Sequence, residues 1–258
     1  MKPSPVADRF LLFSLPRSGS SNLTHALNRH PGIRCCLEPF NTTRTDVPVL
    51  PQVEDRKTLD ERLDRLWETY NGIKHVFVPA GWPFPKRSTL NRYLLLRPGQ
   101  RVILLHRRNL LQQIVSNEMA RQTQVFHPAR SEYRSRIKEF RFLPIEERAV
   151  GRALHFWGRK IEGHRRDLEQ HGIPFLDLAY EDLFAPTLTL EERRKVLNDV
   201  FTFLGRDASA KGVDRVGIDA LIDPEKSKIN SADTYRLVPG IEAIERRFGS
   251  PENGWLFR

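Results

Sequence analysis

Short apolar runs alternate along the chain with stretches in which apolar residues recur every three or four positions. The short runs have the length of buried β-strands, and they predict strands at residues 10–15, 33–37, 73–78, 101–106 and 174–178. The periodic stretches predict amphipathic helices that start near residues 20, 59, 109, 150 and 196. Because strands alternate with helices, the pattern predicts an α/β fold in which a parallel sheet is flanked by helices.

One further segment, 207–235, is polar and only weakly periodic, which is typical of a loop or lid. The sequence contains neither an internal repeat nor a low-complexity linker. A chain of 258 residues is long enough for one domain with a substantial core. We therefore expect a single domain over residues 1–258.

The chain is strongly basic, with a formal net charge of +10. Such a charge favours an anionic partner, and nucleic acid is one candidate. The basic residues, however, are spread along the whole chain, without a like-charged run of about five or six and without interleaved aromatic residues. We therefore expect no nucleic-acid partner, since an anionic nucleotide would need only a few of these arginines.

Several features bear on the location of the protein. No apolar run approaches the roughly 20 residues of a membrane-spanning helix, so we expect no span. The N-terminal sequence MKPSPVADRF has no apolar signal region, so we expect neither a secretion signal nor a membrane anchor. Cys35 and Cys36 are adjacent, and adjacent cysteines rarely satisfy disulfide geometry. Together these features predict a cytoplasmic protein. No group of residues has metal-ligand spacing, so we expect no metal.

A turn with the sequence PRSGSSN, from Pro16 to Asn22, links the first predicted strand to the first predicted helix. Backbone N–H groups and the positive end of the helix dipole converge at such a junction and favour a bound phosphate. The candidate ligands are Arg17, Ser18, Gly19, Ser20, Ser21 and Asn22. A serine-rich helix cap has the same composition, so the turn alone leaves both interpretations open.

The turn differs from the Walker A loop that binds ATP. Gly19 lets the backbone approach an oxyanion closely, but no lysine follows it, as the Walker A motif requires. This difference argues against ATP and GTP. A nucleotide kinase of P-loop architecture stays open as an alternative, and so does a non-catalytic protein that binds polyanions or nucleic acid.

A second candidate phosphate site follows the strand predicted at 101–106. Arg108 lies at the end of this strand, where open α/β sheets place ligand-contacting side chains. Ser116 follows in the next predicted helix, at a spacing that leaves it about 80° from Arg108 around the helix axis, so that both can approach one group. A solvated arginine pair with an ordinary helix serine is the alternative interpretation.

Both motifs together, each at a strand-to-helix junction, resemble those of the sulfotransferases that use 3′-phosphoadenosine 5′-phosphosulfate (PAPS). PRSGSSNL with NRHPGIRCCLEPF is similar to the family's 5′-phosphosulfate loop and next strand, most closely in the carbohydrate-type enzymes and their bacterial relatives. RVILLHRRNLLQQIVS is similar to its 3′-phosphate motif, and IPFLDLAYEDL to a later strand and helix. Asn109-Leu110 departs from the Asp-Pro that often follows the motif's arginine.

The resemblance implies a P-loop NTPase-like sulfotransferase fold and a reaction without a metal. A sulfuryl group would pass from PAPS to a hydroxyl of an acceptor, which would be a carbohydrate, a lipid or another small metabolite. Residues 17–22, Arg108 and Ser116 would hold PAPS, and Arg17 would also stabilise the leaving 5′-phosphate. Segments 41–100 and 120–172, which match nothing in the family, would form the acceptor side. The sequence names neither the acceptor nor the oligomeric state.

The acceptor hydroxyl needs a general base, and Glu38 is our candidate. Glu38 ends the strand after the phosphate turn, so we expect it beside the donor. The resemblance also implies that a glutamate here serves as the base in some relatives. A carboxylate that pairs with a nearby arginine is the alternative interpretation. His75 and His106, near the ends of two other predicted strands, are the next candidates for the base.

Overall fold

The computed structural model describes residues 8–42, 53–78, 81–84, 88–126, 137, 139–227 and 230–258. The chain divides into two compact units. The first unit contains Met1–His106 and Ile161–Ser227, and the second contains Arg107–Lys160 and Lys228–Arg258. Parts of segments 41–100 and 120–172, the predicted acceptor side, lie outside the described residues. Their role and the single-domain organisation stay predictions.

Within the described residues, five parallel strands form the sheet of the first unit. They are β1 (Phe10–Ser14), β2 (Cys35–Leu37), β3 (Gly72–Val76), β4 (Arg101–His106) and β5 (Phe175–Ala179). The strand order is β2-β3-β1-β4-β5, and all neighbouring strands pair in parallel. The predicted α/β fold with a parallel sheet is therefore confirmed. Because the strands are parallel, their carboxyl ends meet at one edge, where such sheets bind ligands.

The described helices include those that the periodicity predicted and several shorter ones. In chain order they are α1 (Ser20–Leu27), α2 (Arg56–Trp67), α3 (Thr89–Leu95), α4 (Leu110–Thr123), α5 (Glu147–Gln170), α6 (Tyr180–Phe184), α7 (Leu190–Phe203), α8 (Arg215–Ile222), α9 (Pro224–Ser227), α10 (Ala232–Tyr235) and α11 (Ile241–Phe248). None of these described helices has both the length and the apolar character needed to cross a membrane.

Side chains cover both faces of β1, which explains its unbroken apolar run. On one face, Leu12 belongs to a buried cluster that includes Leu23 of α1. On the other face, Phe13 stacks on Phe77 with 4.4 Å between the ring centroids. Phe13 also meets the ring of His164 in α5 at an edge. The sheet is thus the centre of the first unit's core.

The segment 207–235, predicted to be a loop or lid, contains α8, α9 and α10. Ile218 and Ile222 of α8 are buried in the same cluster as Leu23 of α1. A loop is therefore wrong for these helices, whereas a role of the segment as a lid stays a prediction. Two apolar residues one turn apart suffice to bury a short helix, but they give too weak a periodic signal to be recognised in a polar segment.

Candidate active site and nucleotide site

The phosphate turn, residues 16–22, joins β1 to α1 in the first unit. Gly19 has a φ of 80°, and a Cβ atom at this position would lie only 2.8 Å from Cδ2 of Tyr180. Glycine is required here by the backbone conformation and by the close aromatic ring. Ser18 is fully buried, and its hydroxyl donates to the carbonyl of Leu15 at 2.8 Å. The Ser18 side chain therefore holds the turn together.

Ser20, Ser21 and Asn22 form the first turn of α1. The backbone N–H groups of a first helical turn point out of the helix and carry the positive end of its dipole. The hydroxyl of Ser21 has a charged neighbour, because it accepts a hydrogen bond from Lys74 Nζ at 2.8 Å. The predicted turn residues are thus together at one strand-to-helix junction.

Two of the candidate residues adopt a backbone conformation that side chains disfavour. Arg17 has a φ of 63°, and Glu38 has a φ of 45°. Among the non-glycine residues that the structure describes, Gln124 shares this left-handed region with them. The conformation costs an L-residue about 1–2 kcal/mol, and such strain clusters at functional sites. Both residues predicted to be catalytic therefore have strained backbones.

Lys74 of β3 connects Glu38 to the phosphate turn. Its side chain is 1% exposed, and Nζ donates to Glu38 Oε1 at 2.5 Å as well as to Ser21. A buried ammonium requires such partners, because an unpaired charge in the interior is strongly destabilising. One buried cation is therefore shared between the phosphate turn and the predicted base.

Glu38 follows β2 directly and is itself buried. Its second oxygen, Oε2, accepts a hydrogen bond from Asn41 Nδ2 at 2.8 Å, and its backbone N–H donates to the carbonyl of Lys74 at 3.0 Å. The carboxylate thus pairs with Lys74 of β3. Each carboxylate oxygen can accept more than one hydrogen bond, so this pairing is compatible with a role toward an acceptor hydroxyl.

His75 lies in an apolar environment. Its Nε2 is 2.7 Å from Asn91 Oδ1, and its ring stacks on those of Phe13 and Phe84. Burial lowers the pKa of His75 from its usual 6.5 to about 4, against the opposing effects of Asn91 and of the charge on Glu38. The imidazole is therefore neutral near pH 7, and its aromatic contacts indicate a structural role.

His106, the other histidine candidate, ends β4 and is 17% exposed. Its Nε2 lies 3.1 Å from Asp177 Oδ1, and the second oxygen of Asp177 accepts a hydrogen bond from Arg165 Nε at 2.8 Å. Because Asp177 also binds Arg165, its carboxylate is held in place and orients the imidazole of His106 at the edge of the sheet.

The second candidate phosphate site belongs to the second unit. Arg107 and Arg108 differ there in exposure: Arg107 is buried and donates to the side chain of Gln112, whereas Arg108 is exposed. Arg108 is therefore the better placed of the two for a ligand. Ser116 is 4% exposed on α4, and its Oγ accepts a hydrogen bond from Asn230 Nδ2 at 2.8 Å.

Asn109, which replaces the aspartate of the resembled motif, caps α4. Its side-chain oxygen accepts a hydrogen bond from the backbone N–H of Gln112 at 2.9 Å. Its Nδ2 donates to the carbonyl of Trp255 at 2.7 Å. A Cβ atom on Gly254 would overlap the Asn109 side chain, so residues 254–255 approach α4 closely. Although Asn109 departs from the Asp-Pro of the motif, it still caps α4, and it also links α4 to Trp255 by a hydrogen bond.

Comparison with known proteins tests the family resemblance. Nodulation protein H from Rhizobium meliloti (strain 1021) is 32% identical to this chain over 122 residues, which are 44% of this chain and 48% of that protein. No protein-family model matches the chain. The match to nodulation protein H nevertheless confirms the resemblance at the level of the family. Nodulation protein H is a sulfotransferase, so this chain is similar to that family over the matched 44% of its length. It spans about half the length of the curated relative that it matches.

In this chain, the first unit brings together the phosphate turn, Glu38 and Lys74. The sequence had indicated the turn and Glu38 but not Lys74 or, in the second unit, Asn230. Lys74 had a detectable signal, because a lysine within a strand buried along its whole length must find a partner. Asn230 had none, since its contact with Ser116 joins residues distant in sequence. The described residues contain no cluster of three or more His, Cys, Asp or Glu that could hold a metal ion.

Proposed function

We propose that the protein transfers a sulfuryl group from PAPS to a hydroxyl of an acceptor, which is a carbohydrate, a lipid or another small metabolite. The observation that carries this proposal is the buried contact of Lys74 with both Ser21 and Glu38. A donor-binding turn and a general base must act on the same reacting atoms, and a shared buried cation supports that arrangement.

The phosphate turn fits the 5′-phosphosulfate of PAPS. The first turn of α1 supplies backbone N–H groups for an oxyanion, and Arg17 adds a forked cation. Bound PAPS supplies the sulfuryl group and leaves as a 3′,5′-bisphosphate. Arg17 and the N-terminal amides of α1 would stabilise the charge that develops on the 5′-phosphate. We assign the 3′-phosphate to Arg108 and Ser116.

Glu38 is the proposed base, which accepts the proton of the acceptor hydroxyl. Its ion pair with Lys74 favours the ionised carboxylate that a base requires. Asn41 donates to the other oxygen, which restricts rotation of the carboxylate. Lys74 also places a positive charge beside Ser21, where the negative donor would bind. The acceptor side in segments 41–100 and 120–172 and a location in the cytoplasm complete the proposal.

A nucleotide kinase is the competing function, and Lys74 gives it a specific argument. Although the phosphate turn itself contains no lysine, β3 supplies one to Ser21. The ion pair with Glu38 and the similarity to a sulfotransferase relative favour sulfuryl transfer. The two functions differ in their nucleotide, because PAPS carries a 3′-phosphate that ATP lacks.

The test is calorimetric titration of the protein with 3′-phosphoadenosine 5′-phosphate, AMP and ATP. We expect the bisphosphate to bind more tightly than either of the others. In Arg108→Ala the loss of a charge-assisted contact should weaken bisphosphate binding by about 1.5–3 kcal/mol and leave AMP binding unchanged. An Arg121→Ala variant, which removes an exposed arginine from the other end of α4, is the control. Tighter binding of ATP than of the bisphosphate would favour the kinase.

A further inference from the structure

The contact between Asn230 and Ser116 extends the second site beyond the residues that a motif could indicate. Asn230 lies in the C-terminal part of the second unit, and both side chains are 4% exposed. The amide of Asn230 donates to Ser116 Oγ at 2.8 Å, a normal hydrogen-bond length. Buried polar contacts of this kind fix the orientation of their members, because an unsatisfied partner would be costly.

The direction of this hydrogen bond matters for an anion. A serine hydroxyl has one proton and two lone pairs, and the amide nitrogen of asparagine can only donate. Asn230 therefore engages a lone pair of Ser116, so the single proton of the hydroxyl points away from Asn230. A phosphate oxygen is a pure acceptor at neutral pH and requires a donor.

The chain holds Asn230 in place from its C-terminal side. Ser231 begins a capped turn, with its N–H donating to Thr234 Oγ1 at 2.8 Å, and Tyr235 at the end of α10 is 1% exposed. The first turn of α4, which precedes Ser116, is held by the C-terminal segment as well. Leu111 N–H donates to the carbonyl of Asn253 at 2.9 Å. Both partners of the contact are thus attached to well-packed neighbours within one unit.

We propose that Asn230 is a positioning residue, which orients the Ser116 hydroxyl as a hydrogen-bond donor to the 3′-phosphate of the donor nucleotide. This inference rests on the proposed function, because it requires the 3′-phosphate to bind at Arg108 and Ser116. It predicts that Asn230 affects nucleotides with a 3′-phosphate and leaves those without one unaffected.

The experiment compares the Kd of 3′-phosphoadenosine 5′-phosphate with that of AMP in the full-length protein. In Asn230→Ala we expect the preference for the bisphosphate to fall by about 3- to 10-fold, the usual worth of one hydrogen bond. In Asn230→Asp the fall should be larger, because the carboxylate would accept the Ser116 proton and repel the phosphate. AMP affinity should stay constant in both variants.

Two further variants separate positioning from a general structural effect. Gln122→Ala removes another amide side-chain bond of the same unit, to the carbonyl of Leu143, and should leave the nucleotide preference unchanged. In a Ser116→Ala background, Asn230→Ala should have little additional effect, because its influence passes through Ser116.

The outcomes of this experiment are distinguishable. If the unaltered protein and Asn230→Ala prefer the bisphosphate to the same extent, the role of Asn230 is overturned, but the assignment of the 3′-phosphate is not. Equal effects of Asn230→Ala with and without Ser116 would show that it does not act through the hydroxyl, and would overturn the inference too. An unaltered protein without any preference would overturn the 3′-phosphate assignment and the role of Asn230 with it.

Discussion

The carboxylate of Glu38 and the phosphate turn depend on one ammonium, that of Lys74. Because this ion pair is buried, removal of one charge leaves the other uncompensated, at a cost of about 3–5 kcal/mol. Substitution of Lys74 would therefore mix a loss of stability with a loss of activity. Glutamine keeps the size of Glu38, and its single oxygen can still accept a hydrogen bond from Lys74, although its NH2 group would then face the donor Asn41. Glu38→Gln is therefore the more informative change, provided that its stability is measured beside its rate.

We expect Glu38→Gln to lower the single-turnover rate of sulfuryl transfer by about 10²–10⁴, because the amide cannot take up the acceptor proton. Affinity for the bisphosphate product should change little. Transfer rate, affinity and unfolding midpoint are to be measured on one preparation. Glu118→Gln, which neutralises a surface glutamate on α4 paired with Arg121, is the control and should keep its rate. A folded Glu38→Gln protein with normal transfer would exclude Glu38 as the base.

Single residues differ in how far the sequence could indicate them. Arg17 and Glu38 were accessible because each lies beside a strand end that an apolar run marks. Lys74 reaches Glu38 across a separation of 36 residues, and Asn230 reaches Ser116 across 114. Such contacts follow from the strand order and from the path of the C-terminal segment, so the sequence could indicate neither pairing, although Lys74 itself stands out as a charge within an apolar run.

At the scale of elements, the junctions after β1 and β2 contain the strained residues Arg17 and Glu38. The end of α4 contains Gln124, whose φ of 56° is that of an ordinary left-handed helix cap. The same backbone conformation therefore occurs at two proposed functional positions and at one structural position. Glycine substitutions at Gln124 and at Arg17 can therefore separate the effect of backbone strain on stability from the loss of a functional side chain.

We expect Gln124→Gly to raise the free energy of unfolding by about 0.5–1 kcal/mol, because glycine adopts this conformation without strain. Arg17→Gly should gain a similar amount of backbone relief but lose sulfuryl transfer, since it removes the cation proposed for the leaving group. Urea unfolding and the transfer rate check both variants. Normal transfer by Arg17→Gly would contradict the proposed role of Arg17.

The strength of the local signal determined which elements were predictable. The bounds of β4, Arg101–His106, agree with the prediction because the strand is a continuous apolar run followed by two arginines. α8 was missed because only its residues Ile218 and Ile222 are buried. α6 was not predicted as a helix because its five residues are too few for a periodic pattern; Asp182 accepts the backbone N–H of Ala179 at its start.

At the scale of the whole molecule, the positive net charge and the two candidate phosphate sites have a common consequence. The proposed donor carries several negative charges, so a basic chain would attract it over a distance that depends on ionic strength. The sequence could predict this general attraction. It could not predict the buried charge and the buried neutral histidine next to it in β3, because burial is a property of the folded sheet.

The buried histidine makes the stability of the whole molecule depend on pH. In the folded protein the pKa of His75 is about 4, mainly because burial disfavours the charged imidazole, whereas in the unfolded chain it is near 6.5. As the pH falls below 6.5, the unfolded chain binds a proton that the folded protein does not, so acid favours unfolding. His75 alone should therefore lower the free energy of unfolding by about 2 kcal/mol between pH 7 and pH 5.

Urea unfolding of the unaltered protein and of His75→Gln at several pH values measures this contribution. We expect His75→Gln to be less stable at pH 7, because its side chain fits the aromatic surroundings of Phe13 and Phe84 less well. Between pH 7 and pH 5, however, the free energy of unfolding of His75→Gln should fall by about 2 kcal/mol less than that of the unaltered protein, since glutamine does not titrate. His171→Gln, at an exposed histidine, should retain the full decline. An equal decline in His75→Gln and in the unaltered protein would mean that His75 takes up a proton in the folded state.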